Sequence, residues 1–283
     1  MKPKNYLLAG ALAAVSAFST YFITVSTAQQ AGGTPRPAVE TADNEYQVGA
    51  VLFMQKAAEY RALCYQAFNW AEKTLAADEK TRKKLPRAAR RKPRAVVVDI
   101  DETVLDNSPA QAAGIKYGRA FNLPDWYAWG EMRRARAIPG AVAFARYAKA
   151  NDVRVFYVSN RDEVQKAATI DNLRAVGFPD VSDENVLLRQ NESTKEPRRA
   201  QIAERYRVVV LLGDNLNDFS NVFERKSVAD RFREVDQIEN VWGERFIVLP
   251  NAMYGDWESA IYEYQRLTDA QKKERRAAAL ELP

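Results

Sequence analysis

Hydrophobic positions fall into short continuous runs separated by stretches of helical period. Ala95-Val96-Val97-Val98 is apolar throughout, as a parallel strand buried on both faces must be, and it ends in acid at Asp99. Four later runs close on polar or turn residues: 153–158 on Ser159, 186–188 just before Arg189, 208–212 on Gly213-Asp214, and 246–249 on Pro250. Between them, apolar residues recur at three- and four-residue spacings over 139–150, 163–176 and 195–205, which predicts helices. Strand and helix therefore alternate, which predicts an α/β fold, a Rossmann-like parallel sheet with helices on both faces. Ahead of it, Val51, Met54, Ala58, Leu63, Ala67 and Trp70 predict one long amphipathic helix over 46–75. Residues 108–138, with Trp126 and Trp129 among many charges, interrupt the alternation and predict a small helical excursion forming part of a lid. In such sheets ligands bind outside the carboxyl ends of the strands, where Asp99, Ser159 and Asp214 stand, with Lys195 opening a helix nearby.

The amino terminus has a different character. Lys2 and Lys4 precede an apolar run over 6–25, and Ser26-Thr27-Ala28 follows with residues small enough for signal cleavage. Residues 1–28 are read as a signal peptide or, because the run is long for a cleaved signal, an amino-terminal anchor. Export to the periplasm or cell envelope is expected. Residues 29–43, rich in Gly, Pro, Thr and Ala, read as a linker, and the folded domain is expected over 44–283.

The chain has 283 residues, 47% of them hydrophobic, enough for one α/β domain with its own core. It has no histidine and one cysteine, Cys64. This excludes a Ser-His-Asp triad, a histidine nucleophile and a zinc site built on paired helical histidines. A cysteine phosphatase needs Arg six residues beyond its nucleophile, and that position is Trp70. Cys64 reads as a small apolar residue on a helix. The net charge of +5 is concentrated in Lys80, Arg82, Lys83, Lys84, Arg87, Arg90, Arg91, Lys92 and Arg94, read as a solvated connection. No recognition motif or interleaved aromatic marks it for nucleic acid.

Asp99 and Asp101 are two residues apart, so in extended backbone both side chains leave on one side and share a pocket. Mutual repulsion raises one of the two pKa values, which separates an ionised nucleophile from a proton-holding partner and suits phosphoryl transfer through an aspartyl-phosphate. The string Asp99-Ile100-Asp101-Glu102-Thr103-Val104-Leu105-Asp106-Asn107-Ser108 resembles the first motif of the haloacid-dehalogenase (HAD) superfamily, specifically its class C acid phosphatases, the bacterial surface-lipoprotein type. Ser159-Asn160-Arg161 is similar to the second motif, Lys195 to the third, and Gly213-Asp214-Asn215-Leu216-Asn217-Asp218-Phe219 to the fourth. Glu59-Tyr60, Gln66-Ala67 and the stretch 249–257 extend the resemblance.

The resemblance implies an Mg²⁺-dependent phosphomonoesterase with Asp99 as nucleophile and Asp101 as acid and then base. Ser159 is expected on a phosphoryl oxygen with Lys195 placing a positive charge beside it, and Asn160 and Arg161 are expected to bind substrate. Metal ligands are expected from Asp99 and Asp214, with the Asp101 backbone carbonyl, and Asp218 supports the site. All-oxygen donors favour Mg²⁺ over zinc. Phe53 and Tyr254 are implied near the leaving group, with Trp126 and Trp129 as further aromatic candidates. The acid at Asp101 points to phosphate esters rather than dehalogenation.

The chain departs from the lipoprotein members in two places. It has no cysteine before Cys64 to carry a lipid, and Ala110 stands where relatives place a pocket aromatic, which weakens the inference of nucleoside monophosphates as substrates. Two other readings compete: a catalytically silent binding or storage protein on the same fold, and a nucleic-acid 3′-phosphatase guided by the basic run. The expected partner is a small phosphate ester, without nucleic acid; a membrane enters only through an uncleaved amino terminus, and a homodimer is compatible with the sequence.

Overall fold

Strand β1 (Arg94–Val98) is buried along its whole length and lies at the centre of a five-stranded sheet whose ladders are all parallel. This computed structural model describes residues 42–283; the expected signal or anchor, and all of the linker except its last two residues, lie outside the described residues. A short antiparallel pair, β2 (Leu105–Asp106) and β3 (Arg136–Ala137), stands apart. The main sheet runs β5-β4-β1-β6-β7, with β4 at Val153–Asp162, β5 at Val186–Arg189, β6 at Arg207–Gly213 and β7 at Phe246–Val248. The predicted α/β architecture is therefore present, and each apolar run became a strand.

Alternate side chains of β1 enter different cores, as a strand covered on both faces requires. Val96 and Val98 join the larger cluster with Cys64, Phe68, Phe144 and Leu212. Ala95 and Val97 join the smaller one with Phe156, Ile202 and Phe219. Register levels the strand ends, because Val98 pairs with Tyr157 of β4 and with Leu212 of β6. Asp99, Ser159 and Asp214 each follow within two residues, so one register delivers all three to the same edge.

The expected long helix over 46–75 is instead a 3₁₀ turn followed by two helices, α1 (Val48–Lys56) and α2 (Ala58–Thr81). Ala57 breaks them with extended backbone, φ −75° and ψ 129°. The two helices serve different neighbours: α1 packs on α4 (Ser108–Lys116), and α2 packs on α6 (Ala141–Ala150), β6 and β7. The break re-phases the apolar stripe. Tyr60, Cys64, Phe68, Ala71 and Leu75 face inward, while Leu63 and Trp70, counted in the stripe from spacing, are exposed. Gly140, at φ +90°, precedes α6, and a Cβ there would lie 3.0 Å from the Phe68 ring, so the α2–α6 approach needs glycine.

The basic run forms the end of α2, a 3₁₀ turn and α3 (Arg87–Arg91), at the amino-terminal end of β1 and away from the acidic strand ends. Most of it is exposed. Arg94 is the exception: it is buried, 2.9 Å from Glu79 and hydrogen-bonded to the Asn151 carbonyl at 2.6 Å. The excursion contains α4 and α5 (Leu123–Glu131) between β2 and β3. Beyond these come α7 (Lys166–Ala175), α8 (Glu196–Arg205), α9 (Val228–Gln237), α10 (Asp256–Ile261) and α11 (Asp269–Ala278).

Candidate active site

Asp99, Asp214 and Asp218 each offer a carboxylate oxygen within 4.8 Å of the other two. Backbone register brings the first pair together, since the Asp99 N–H donates to the Leu212 carbonyl at 2.9 Å. Asp214 is then fixed from two sides, by the Thr103 hydroxyl at 3.2 Å and the Asn251 amide at 2.8 Å. Asn251 reaches it because β7 continues the sheet until the Leu249 N–H donates to the Gly213 carbonyl. Asp218 lies in a capped turn in which its carboxylate accepts the Asn215 N–H at 2.9 Å.

Lys195 stands at the cap of α8 with its side chain buried, and its Nζ donates to Asp218 at 2.6 Å and to Asp99. Burial alone would lower its pKa, but Asp218 and Asp99 outweigh that and hold it protonated. The acids respond in the opposite sense. Burial raises Asp99 well above its ordinary value, against Lys195 and with help from Asp218 and Asp214. Asp214 is pushed up to about 7 by burial and then by Asp218. Once ionised, these three carboxylates face the single Lys195 ammonium and leave two negative charges uncompensated. The all-oxygen donor set and that deficit both fit a hard divalent cation. Asp99, Asp214 and Asp218 are the carboxylates that would hold it.

Asp101 points elsewhere. Its Oδ1 accepts from Asn107 at 2.8 Å and from Arg161 Nε at 2.9 Å, and its Oδ2 accepts from the Ser159 hydroxyl at 3.0 Å. Its carboxylate is thus outside the three-acid cluster, which leaves only the backbone carbonyl of Asp101 for the metal role expected of it. Ser159, expected on the phosphoryl group, here turns its hydroxyl to Asp101. Asn160 is exposed and accepts from Arg198 at 2.7 Å. Tyr254 donates its hydroxyl to Glu102 across the site. Phe53 lies on α1, exposed, with its ring edge-on to Tyr60. Trp129 donates to Asn107 at 2.8 Å, and the Trp126 ring lies 5.2 Å from the Arg161 guanidinium.

The acid phosphatase family model of HAD subfamily IIIB matches residues 18–257. The chain belongs to that family. Two solved structures share its fold closely: the class C acid phosphatase of Bacillus anthracis, 39% identical over 84% of this chain and 97% of the other with a TM-score of 0.78, and the tungstate-bound form of the same enzyme, 40% identical over the same shares with a TM-score of 0.79. Family membership makes this chain an acid phosphatase, with the three-acid cluster as its candidate divalent-metal centre.

Several residues of this acid phosphatase's site were given no role in the sequence reading, although Glu102, Thr103 and Asn251 stand inside its motifs. Glu102 is fully buried at φ +58° and binds the Asn107 N–H at 2.8 Å; burial, then Asp101 and Asp214, raise its pKa well above the ordinary value. Thr103 and Asn251 orient Asp214. Asn251 follows a strand end, the same signal that exposed Asp99 and Asp214. Arg198 and Arg199 gave no signal, because charges on an amphipathic helix read as solvated, yet both are buried.

Proposed function

We propose that this acid phosphatase is an exported Mg²⁺-dependent phosphomonoesterase acting on small organic phosphates through an aspartyl-phosphate on Asp99. The observation that carries the reading is the convergence of the Asp99, Asp214 and Asp218 carboxylates within 4.8 Å, with Lys195 bridging two of them. An Asp99 oxygen attacks phosphorus while Asp101 gives a proton to the leaving oxygen. Asp101 then takes a proton from the water that hydrolyses the acyl phosphate. Lys195 holds positive charge against the transferring group. A bound Mg²⁺ would supply further charge neutralisation between the acids and the anionic substrate.

Tungstate in the B. anthracis relative is a tetrahedral oxyanion of phosphate-like charge and shape, which supports an oxyanion as the natural occupant. The absence of histidine, with Cys64 buried in the core, favours Mg²⁺ over softer metals. Lys2, Lys4 and the apolar run 6–25 support export. Nucleoside monophosphates remain among the candidate substrates, with Tyr254 and Phe53 as their aromatic contacts.

A panel of phosphomonoesters assayed with Mg²⁺ and with EDTA, in wild type and Asp99→Asn, tests this reading. Turnover is expected to need both the metal and the Asp99 carboxylate, and full hydrolysis by the variant would sink it.

A further inference from the structure

Arg161 sits in the second motif, where a cation invites the reading of a substrate-phosphate ligand, but every nitrogen of its guanidinium is already engaged inside the protein. Nε donates to Asp101 Oδ1 at 2.9 Å, and Nη2 lies 2.8 Å from that oxygen and donates to Asn107 Oδ1 at 3.1 Å. Nη1 donates to Thr169 Oγ1 at 3.2 Å, and the Trp126 ring lies 5.2 Å from the guanidinium carbon. The residue is 3% exposed. To bind a phosphoryl oxygen it would have to abandon these partners, each itself buried or half-buried.

We propose that Arg161 is a positioning residue for Asp101: it clamps the carboxylate by Oδ1 and leaves Oδ2 as the oxygen that meets the departing group. This rests on the reading of Asp101 as the acid. Arg161 and Asn107 both aim N–H groups at Oδ1, and a proton there would face their hydrogens. Among the described residues Oδ2 faces only the Ser159 hydroxyl, which rotates to accept as readily as it donates. Arg161 and Ser159 are further tied together, since the Arg161 N–H donates to Ser159 Oγ at 3.0 Å. Oδ2 is therefore the oxygen placed to hand a proton on. As Asp99 forms its bond to phosphorus and the ester P–O bond breaks, that proton passes to the departing oxygen. The alcohol leaves neutral, and Asp101 remains as a carboxylate facing a guanidinium that stays charged throughout and transfers nothing.

Leaving-group dependence separates this role from phosphoryl binding. An alkyl phosphate such as glycerol 2-phosphate needs a proton to expel its oxygen, whereas 4-nitrophenyl phosphate barely does. Arg161→Lys is expected to lower kcat/KM for the alkyl ester by about 100-fold, the low end of a general-acid contribution, and for the aryl ester at least about tenfold less. Inhibition by inorganic phosphate should be unchanged. Equal losses on both esters, with weaker phosphate inhibition, would make Arg161 a phosphoryl ligand and overturn the proposal.

Asp101→Asn, assayed in parallel, is expected to show the same selective loss. If it keeps the wild-type ratio of the two substrates, the acid role of Asp101 itself fails; if it shows the selective loss while Arg161→Lys does not, only the positioning role fails. Should Arg161→Lys not fold, Thr169→Val removes the hydroxyl that steadies Nη1 and leaves the guanidinium in place. It is expected to shift the ratio in the same direction, and an unshifted ratio counts against the proposal.

Discussion

A Cβ added at Gly213 would lie 2.3 Å from Asp218 Oδ2 and 2.4 Å from the Asp218 Cβ, closer than packed atoms approach. The glycine thus lets the turn after β6 fold back until Asp218 meets Asp99. Gly213→Ala cannot be accommodated by a flexible tip, because the atoms it meets include the root of the Asp218 side chain. Displacing Asp218 also unseats the 2.6 Å contact with Lys195. Gly213→Ala is expected to raise the Mg²⁺ concentration needed for half-maximal activity by about 10–100-fold, the range for disturbed metal-supporting groups. A magnesium titration of activity, with circular dichroism to establish folding, reads this directly. An unchanged midpoint would mean that Asp218 does not act through the metal site.

At the scale of elements, α8 begins with Lys195 at its cap and carries Arg198 and Arg199 just inside, although a helix amino terminus ordinarily repels cations. Each cation has an acceptor beyond the helix. Arg198 donates to the Ser159 carbonyl at 2.5 Å, and Arg199 donates to the carbonyls of Asn217 and Asp218 at 3.0 and 2.8 Å. One helix thereby braces both the second-motif strand and the fourth-motif turn. Arg199→Met leaves those two carbonyls, one buried and one half-buried, without that partner and is expected to cost about 2–6 kcal/mol, at about 1–3 kcal/mol for each unsatisfied group. Urea unfolding measures the loss, and a stable variant would show that water replaces the guanidinium.

The bracing was not legible in the chain, because an amphipathic pattern identifies a helix without saying which charges point inward. Strands were legible for the opposite reason. Burial on both faces leaves an unbroken apolar run, and acids at the run's end stand out. The break at Ala57 was illegible because no glycine or proline marks it; it follows from α1 and α2 packing on different elements. Asp99, Asp214 and Lys195 were found from their places at strand ends and a helix start. The inward role of Arg161 required knowing that Asn107 and Thr169 meet it.

Across the whole molecule, charge is divided by the direction of the sheet. Exposed cations crowd the amino-terminal end of β1, and acids crowd the carboxyl ends, where among the described residues Lys195 alone pairs with the three-acid cluster and touches two of its members. That acid cluster trades stability for function, and pH exposes the trade. Asp214 is raised to about 7 from 3.8, first by burial, and Asp99 is raised in the same direction. Between pH 4 and 7 the folded metal-free protein therefore holds protons that the unfolded chain has already released. The linkage makes this contribution to stability fall as pH rises through that window. A dication that replaces those protons removes the penalty, so the Tm difference between Mg²⁺ and EDTA samples is expected to widen from pH 4 to 7. Asp214→Asn removes one of the raised acids without changing its size. In EDTA at pH 7 the variant should melt about 2–4 °C above wild type, the shift produced by roughly 1 kcal/mol in a domain of this size, and the gap should close toward pH 4. Scanning calorimetry across that range decides the matter. Parallel curves for wild type and variant would mean that water or backbone donors already compensate the Asp214 carboxylate, and that the cation contributes to chemistry without relieving the fold.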